Sequence, residues 1–231
     1  MKRLLRTVFL WIPLCFIGVS IVLVLFFKWA PVRVTPLMVV RTFQGTETVG
    51  NVFRKKWTPI GDISPDLIRC VLASEDARFF MHRGFDFEEL RKMEENHRKY
   101  GKAIRGCSTV SQQTAKNCFT WCTRTMVRKG FEAYYTLLIE RIWGKKRILE
   151  VYLNVAELGP GIYGVQEAAE EYFHKNASKL SLSESASLTC CLPNPLKRSP
   201  EWVGRHMSTR RSQIIALSHD VILDFDKKES K

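Results

Sequence analysis

Two neighbouring carboxylates, Glu75 and Asp76, follow a stretch of sequence with an apolar helical pattern. Glu75 lies three and seven positions after Leu72 and Ile68, so a continuous helix would direct its carboxylate to the apolar side. Burial disfavours the charged form of a carboxyl group and raises its pKa towards the range in which general bases work near neutral pH. We therefore interpret Glu75 as a buried general base or acid. The alternative is an ordinary helix-end glutamate that turns to solvent.

A second carboxylate, Glu132, also lies on an apolar stripe, because Tyr135 and Ile139 follow it at helical spacing. Arg128 precedes Glu132 by four residues, a spacing that favours an ion pair on one helix. Such a pair could lie on the surface, where it stabilises a helix by only about 0.3 kcal/mol. Alternatively, both side chains could line one site.

Polar residues between these two carboxylates form a third chemical feature. Thr109 and Gln112 have the spacing of a capping box, which predicts the start of a helix. Thr109, Gln113 and Lys116 then lie on one helical face. A hydroxyl, an amide and an ammonium group near a helix N-terminus are well suited to bind phosphate oxygens. An ordinary polar surface face has the same spacing, and the pattern does not separate the two.

The elements that must position these residues are mainly helices, and the sequence predicts a mainly α fold. Ser64, Pro65 and Asp66 form a helix start signal, and apolar residues recur at helical spacing up to Glu75. Further helices are predicted from Thr109 onwards, over 128–143, 145–157, 165–173 and 182–192, and around 208–225. Strands are scarce, and the clearest β-prone run is 37–43.

The segment 88–105 is dense in charge and poor in apolar residues. We interpret it as a solvated, mobile segment, because it has little apolar surface to bury. Its basic side chains could close over an anionic ligand; they are Lys92, Arg98, Lys99, Lys102 and Arg105.

An uncharged, mostly apolar run at 8–27 is long enough to span a bilayer. A cleavable signal peptide is the alternative, but Lys28 and Trp29 before Ala30 do not form the usual cleavage site. Basic residues before the run predict a cytoplasmic N-terminus. The expected layout is a cytoplasmic N-terminus (1–7), a transmembrane helix (8–27), a juxtamembrane connector (28–62) and one main domain (63–231).

The formal net charge of +13 suits anionic lipid headgroups or phosphates. Nucleic acid is the usual alternative, but a domain on the far side of the membrane would not meet it. The seven cysteines do not form a disulfide framework, although Cys118 and Cys122 could share one helical face. No histidine with metal-ligand spacing accompanies them. We interpret the cysteines mainly as small apolar residues.

Four ordered groups of residues carry a resemblance to a known family. The first group is Glu75, Asp76, Phe79, His82 and Gly84, and the second is Gly106, Ser108, Thr109, Gln112, Gln113, Lys116 and Asn117. The third is Arg128, Lys129 and Glu132, and the fourth is Lys145, Ile148, Leu149, Glu150, Tyr152, Leu153 and Asn154. Over about 63–200 the chain resembles the monofunctional biosynthetic peptidoglycan glycosyltransferases, whose domain also occurs in bifunctional penicillin-binding proteins. Cys107 departs from the pattern, because many members have glycine there.

This resemblance implies a lysozyme-like helical fold that polymerises lipid II into β-1,4 glycan strands and releases undecaprenyl diphosphate. It assigns catalytic roles to Glu75, as the base, and to Glu132. It assigns substrate-binding roles to Asp76, Phe79, His82, Thr109, Gln112, Gln113, Lys116, Asn117, Arg128 and Lys129. A divalent cation such as Mg²⁺ could share the neutralisation of the pyrophosphate. The expected partners are lipid II, the growing glycan, the membrane and other cell-wall synthesis proteins, but not nucleic acid.

Two other function classes fit parts of the pattern. A lytic transglycosylase or muramidase has a similar fold, but it has no need of a cationic cluster for pyrophosphate. A catalytically silent scaffold of a cell-wall complex would not require intact carboxylates. The sequence contains no Ser-x-x-Lys acylation motif, so we expect no transpeptidase activity. The expected location is the bacterial inner membrane, with the main domain outside the cytoplasm.

Overall fold

A computed structural model of the chain describes residues 2–43, 56–101, 108–121, 123, 125–202 and 204–225. The mainly helical class predicted from the sequence is confirmed within these ranges. The helices are α1 (Lys2–Trp29), α2 (Pro36–Phe43), α3 (Pro65–Glu75), α4 (Phe87–Tyr100), α5 (Val110–Phe119), α6 (Met126–Ile142), α7 (Gly144–Val155), α8 (Val165–Phe173), α9 (Leu182–Thr189) and α10 (Arg205–Ser218). Strands β1 (Glu157–Gly159) and β2 (Ile162–Tyr163) pair antiparallel, and short 3₁₀ turns lie at Ile60–Asp62 and Ala177–Lys179.

The two helices that carry the first chemical groups begin as predicted. Helix α3 starts with Pro65, whose missing N–H is not needed in the first turn, and ends where the Asp76 N–H bonds the Leu72 carbonyl. Helix α5 has both bonds of the predicted capping box, which joins Thr109 and Gln112. These local signals therefore set where the two helices begin.

The hydrophobic core lies around α7, in which seven of twelve residues are buried. Helices α5, α6 and α7 pack against one another, and α3 packs against α9 and α10 on another side. A smaller apolar cluster between α3, α9 and α10 contains Cys70, Cys190, Met207 and Ile214. Burial raises the pKa of the Cys70 thiol to about 11, so this cysteine behaves as the small apolar residue expected.

Helix α1 contains a candidate membrane span, Leu10–Trp29, with a mean hydropathy of 2.7. Its second half also packs on the main domain. The Trp143 indole donates to the Val24 carbonyl at 2.7 Å, and the hydroxyls of Ser20 and Tyr135 lie 3.2 Å apart. Val24 is fully buried in the main core. The apolar helix and the domain therefore share one hydrophobic core.

One prediction for the connecting segments is wrong. The β-prone run 37–43 is part of helix α2, because Thr35 accepts a bond from the Met38 N–H and Met38 is buried with Tyr163. The charged segment forms helix α4 up to Tyr100, and its mobility stays a prediction. Asp86 caps the start of α4. None of the side chains of α4 is buried, so the predicted solvation is confirmed. Residues 102–107, including Lys102 and Arg105, lie outside the described residues.

Three helices have bounds that differ from prediction. Helix α7 ends at Val155, because Glu157–Gly159 pairs with β2 where continued helix was expected. Helix α9 ends at Thr189, and α10 covers Arg205–Ser218 instead of 208–225.

Candidate active site

A cleft of about 480 Å³ lies between α2, α5, α6, the end of α7 and the segment 192–196. It brings together many of the residues singled out in the sequence. Those that line it are Ser108, Gln113, Lys116, Asn117, Arg128, Lys129, Glu132 and Tyr152. Part of the second sequence group and all of the third therefore line one cleft. For Arg128 and Glu132, the alternative of a shared site is confirmed.

Glu132 is the buried carboxylate of the cleft, with 2 % of its surface exposed. Arg128 Nη1 donates to its Oε2 at 2.6 Å, and Lys129 Nζ donates to its Oε1. The interpretation of Arg128 and Glu132 as a surface ion pair is therefore wrong. Two cations share one carboxylate, so this wall of the cleft keeps a net positive charge.

Lys116 adds a further positive charge to the cleft. It lies in the last turn of α5, and its side chain is exposed. Its ammonium group and the Arg128–Lys129 pair face one cavity, an arrangement that fits an anion with several oxygens. The predicted phosphate-binding stripe on α5 thus faces the cleft in two of its three residues, Gln113 and Lys116.

Glu75 is partly exposed, so the prediction that its side chain is buried is wrong. Its Oε1 accepts a hydrogen bond from the Ser74 hydroxyl at 3.2 Å, and its Oε2 accepts one from Gln113 Nε2 at 3.1 Å. Both donors are neutral. Because each carboxylate oxygen has more than one lone pair, these bonds orient the group and leave acceptor capacity for another proton donor.

Gln113 connects Glu75 to the cleft. The Tyr152 hydroxyl donates to the Gln113 Oε1 at 3.3 Å, which directs the amide nitrogen towards Glu75. Burial, followed by the negative charges of Glu75 and Asp76, raises the pKa of Tyr152 well above its ordinary value. The phenol therefore stays protonated and remains a donor.

Asp76 and His82 lie behind Glu75 as a buried pair, with His82 Nε2 at 2.9 Å from Asp76 Oδ1. The other Asp76 oxygen accepts the Val110 N–H at 2.9 Å. This carboxylate therefore joins the end of α3 to the first turn of α5. Because α5 carries Gln113 and Lys116, the bond sets the position of Glu75 relative to the cleft.

Other residues of the first two sequence groups also make contacts near the junction of α3 and α5. The Thr109 hydroxyl donates to the Gly84 carbonyl at 2.6 Å, and Phe79 is buried beneath the Lys145 ammonium, 4.4 Å from its ring centroid. Gly84 has φ +92°, and an added Cβ would lie 2.8 Å from the Thr136 methyl group, so only glycine fits. Asp76, Phe79, His82, Thr109 and Gln112 are all buried and do not line the cleft.

A second ion pair in the cleft was not predicted from the sequence: Arg41 on α2 and Glu157 on β1 lie 3.3 Å apart. Burial raises the pKa of Glu157, and Arg41 partly offsets this. The segment 192–196 was missed as well. No local pattern places these residues beside α5. Gly106 and Cys107 lie outside the described residues.

Asp76, His82 and Asp86 place ligand atoms within 4.8 Å of one another, the spacing of a metal site. Both Asp76 oxygens already accept hydrogen bonds, from His82 and Val110. Asp86 pairs with Arg78 at 3.1 Å and caps helix α4. These bonds account for the cluster without a metal ion.

Comparisons with known proteins identify the family of this chain. Residues 43–219 match the family model described as transglycosylase, so the chain belongs to the transglycosylase family. It is 47 % identical over 213 residues to a biosynthetic peptidoglycan transglycosylase of Caulobacter vibrioides, covering 92 % of this chain and 90 % of that protein. A protein of the same description from Bacteroides thetaiotaomicron is 45 % identical over 204 residues, covering 87 % and 82 %. The family predicted from the four sequence groups is confirmed.

Proposed function

We propose that this protein is a peptidoglycan glycosyltransferase that polymerises lipid II into β-1,4 glycan strands and releases undecaprenyl diphosphate. One observation carries the proposal. Helix α5 presents Gln113, bonded to Glu75, and Lys116 to the same cleft as Arg128 and Lys129. Gln113, which bonds Glu75, and Lys116 are about one helical turn apart on α5, so this helix connects a proton acceptor with a cationic anion-binding region, as transfer of a sugar from a pyrophosphate requires.

Glu75 acts as the general base in this proposal. Its carboxylate takes the proton from the 4-hydroxyl of the acceptor sugar while that oxygen attacks the anomeric carbon of the donor chain. The bond between the anomeric carbon and the phosphate oxygen breaks, and its electron pair leaves with the lipid pyrophosphate. Attack opposite the leaving group inverts the α linkage to β. The partial exposure of Glu75 supports this role, because the acceptor hydroxyl must reach it.

Lys116, Arg128 and Lys129 stabilise the negative charge that develops on the leaving pyrophosphate. Glu132 holds the last two cations in place through its paired oxygens. Removing one such preorganised donor typically costs about 100- to 1,000-fold in rate, so positioning these cations accounts for much of the chemistry. The need for a cation cluster also favours synthesis over glycan cleavage, whose leaving group is an uncharged sugar.

The buried residues Asp76, Phe79, His82, Thr109 and Gln112 position the base and helix α5 in this proposal. The bonds of Asp76 to His82 and Val110 support that role. Direct binding of substrate by these five residues stays a prediction from the resemblance. Asn117 lines the cleft beside Lys116, where an amide can bond a phosphate or sugar oxygen.

The described lining of the cleft offers few oxygen ligands to a divalent cation. Its carboxylates, Glu132 and Glu157, are both paired with basic side chains. A Mg²⁺ ion would therefore take its oxygen ligands mainly from the substrate pyrophosphate and water. The reaction proposed here does not pass through such an ion.

The membrane arrangement follows from α1. Leu10–Trp29 is long and apolar enough to cross a bilayer, and basic residues precede it. We infer a single-pass protein with a cytoplasmic N-terminus and a catalytic domain on the outer face of the bacterial inner membrane. Packing of α1 on α6 would then hold the cleft near the surface where a lipid-linked substrate resides. Other cell-wall synthesis proteins remain expected partners.

Incubation of the purified full-length protein with labelled lipid II tests the proposal. We expect a labelled polymer that lysozyme digests, and none with Glu75→Gln. Release of fragments from preformed glycan without polymer would identify a lytic enzyme. Unchanged lipid II with well-folded protein would favour a scaffold.

A further inference from the structure

A chain of two hydrogen bonds connects the last helix of the protein to Glu75. Arg210 Nη2 on α10 donates to the Ser74 Oγ at 3.0 Å, and the Ser74 hydroxyl donates to Glu75 Oε1 at 3.2 Å. Arg210 is separated from Ser74 by 136 positions in the sequence. Neither Ser74 nor Arg210 belongs to the four sequence groups.

The packing of α10 on α3 directs Arg210 to this place. Met207 and Ile214 lie one turn before and after Arg210 on α10, and both are buried with Cys70 of α3. Arg210 shares this packed face, and its side chain is partly buried. The hydrophobic cluster therefore fixes the register in which the guanidinium meets Ser74.

Elementary chemistry determines which group donates in each of these two hydrogen bonds. A guanidinium group can only donate, so the Ser74 oxygen must accept from Arg210. The single hydroxyl hydrogen of Ser74 is then left for Glu75. Without Arg210, a serine hydroxyl in a helix can rotate to bond the carbonyl four residues earlier, here that of Cys70. Arg210 thus selects the rotamer in which Ser74 holds the carboxylate.

We propose that Arg210 is a positioning residue for Glu75 and acts through Ser74. Together with Gln113 on the other oxygen, it fixes both carboxylate oxygens towards the acceptor hydroxyl. This inference rests on the proposed role of Glu75 as the base. It concerns orientation, so it predicts an effect on turnover more than on substrate binding.

The neighbouring Arg211 provides a matched control. It lies on the same helix and is also partly buried, but its Nη2 approaches the carbonyls of Pro200 and Trp202, at 3.5 and 3.4 Å. Arg210→Met and Arg211→Met remove the same charge and keep a similar apolar stem. Only the first removes the donor to Ser74.

The test measures kcat and KM for labelled lipid II with the full-length variants, together with their thermal unfolding. Because a misplacement of about 1 Å can cost about 100-fold, we expect Arg210→Met to lower kcat about tenfold with KM within about twofold. Arg210→Lys, which still donates, should recover most of the loss, and Arg211→Met should change kcat less than about twofold. The double variant Ser74→Ala, Arg210→Met should be no slower than Ser74→Ala alone.

Equal effects of Arg210→Met and Arg211→Met would overturn the inference, as would additive losses in the double variant. A loss in Arg210→Met that follows only a lower unfolding temperature would also overturn it. These outcomes are separate from failure of the proposed function. If Glu75→Gln kept normal activity, Glu75 would not be the base, whatever Arg210 does.

Discussion

The two acidic residues of the site differ in both environment and support. Glu132 is buried, bonded to two cations, and carried by α6, which packs against the apolar helix α1. Glu75 is partly exposed, bonded to the neutral side chains of Ser74 and Gln113, and carried by α3, which packs on α9 and α10. Cations bound to a carboxylate favour its charged form, so such a group is a weaker proton acceptor than one that is bonded only to neutral donors. The difference supports the proposal that Glu75 acts as the base and that Glu132 holds the two cations in place.

The largest expected effect comes from replacing the base. Glu75→Gln keeps the shape of the side chain but cannot accept a proton, so polymerisation should fall about 100- to 10,000-fold. The free energy of unfolding should change by less than about 0.5 kcal/mol, because the side chain is partly exposed. Labelled lipid II turnover and denaturant titration measure the two effects. Near-normal turnover in a folded variant would remove Glu75 from the mechanism.

Deletion of α1 should destabilise the packing around Glu132 more than the packing around Glu75. Deletion of 1–29 exposes the core position that Val24 fills and the indole N–H of Trp143. Burying a valine side chain contributes about 1.5–3 kcal/mol, so we expect a loss of at least about 2 kcal/mol of unfolding free energy. Denaturant unfolding in detergent measures it. Deletion of 1–9 is the control, and equal stability of the two truncated proteins would show that the packing of α1 does not matter.

Glu132→Gln should lower both stability and activity, unlike Glu75→Gln. It leaves Arg128 and Lys129 beside a neutral side chain in a buried position. Loss of a buried partner costs about 3–5 kcal/mol, but the Lys129 side chain is 42 % exposed, so we expect about 1–2 kcal/mol and a roughly tenfold fall in turnover. Glu94→Gln, in an exposed pair with Arg98, should change neither. An effect on turnover without one on stability would assign Glu132 a direct chemical role.

Removal of the hydrogen bonds that orient Glu75 should lower turnover by smaller factors. Gln113→Leu removes the donor to Glu75, and a hydrogen bond to a charged group contributes about 1.5–3 kcal/mol, so turnover should fall about tenfold or more. Tyr152→Phe removes only the bond that orients the Gln113 amide, and a fall of about threefold is expected. Steady-state kinetics would separate them. A Tyr152→Phe loss as large as that of Gln113→Leu would place the phenol in direct contact with substrate.

The sequence predicted those features that depend on neighbouring residues. The starts of α3 and α5 follow from Pro65 and from the capping box of Thr109 and Gln112. Burial of Glu75 is predicted because it continues the apolar stripe of α3, but it is the last residue of that helix and its side chain is partly exposed. Helix α2 was missed because burial of Met38 outweighs the β-prone composition around it.

The contacts that complete the site join distant parts of the chain. Arg41 meets Glu157 across 116 positions, and Arg210 meets Ser74 across 136. Such pairs depend on how whole helices pack, and a single sequence contains no local pattern for them. The sequence therefore indicates candidate residues for the site, and the packing of helices determines which of them lie together.

Chemical rescue by formate tests the division between the two carboxylates most directly. Glu75→Ala leaves a partly exposed space beside Ser74 and Gln113, where formate can act as the missing base. Glu132→Ala removes a buried counter-ion that has no proton to transfer. We predict that formate restores lipid II polymerisation in Glu75→Ala, increasing with its concentration, and does not restore it in Glu132→Ala. Rescue of Glu132→Ala, with no response of Glu75→Ala, would contradict the assignment of Glu75 as the base.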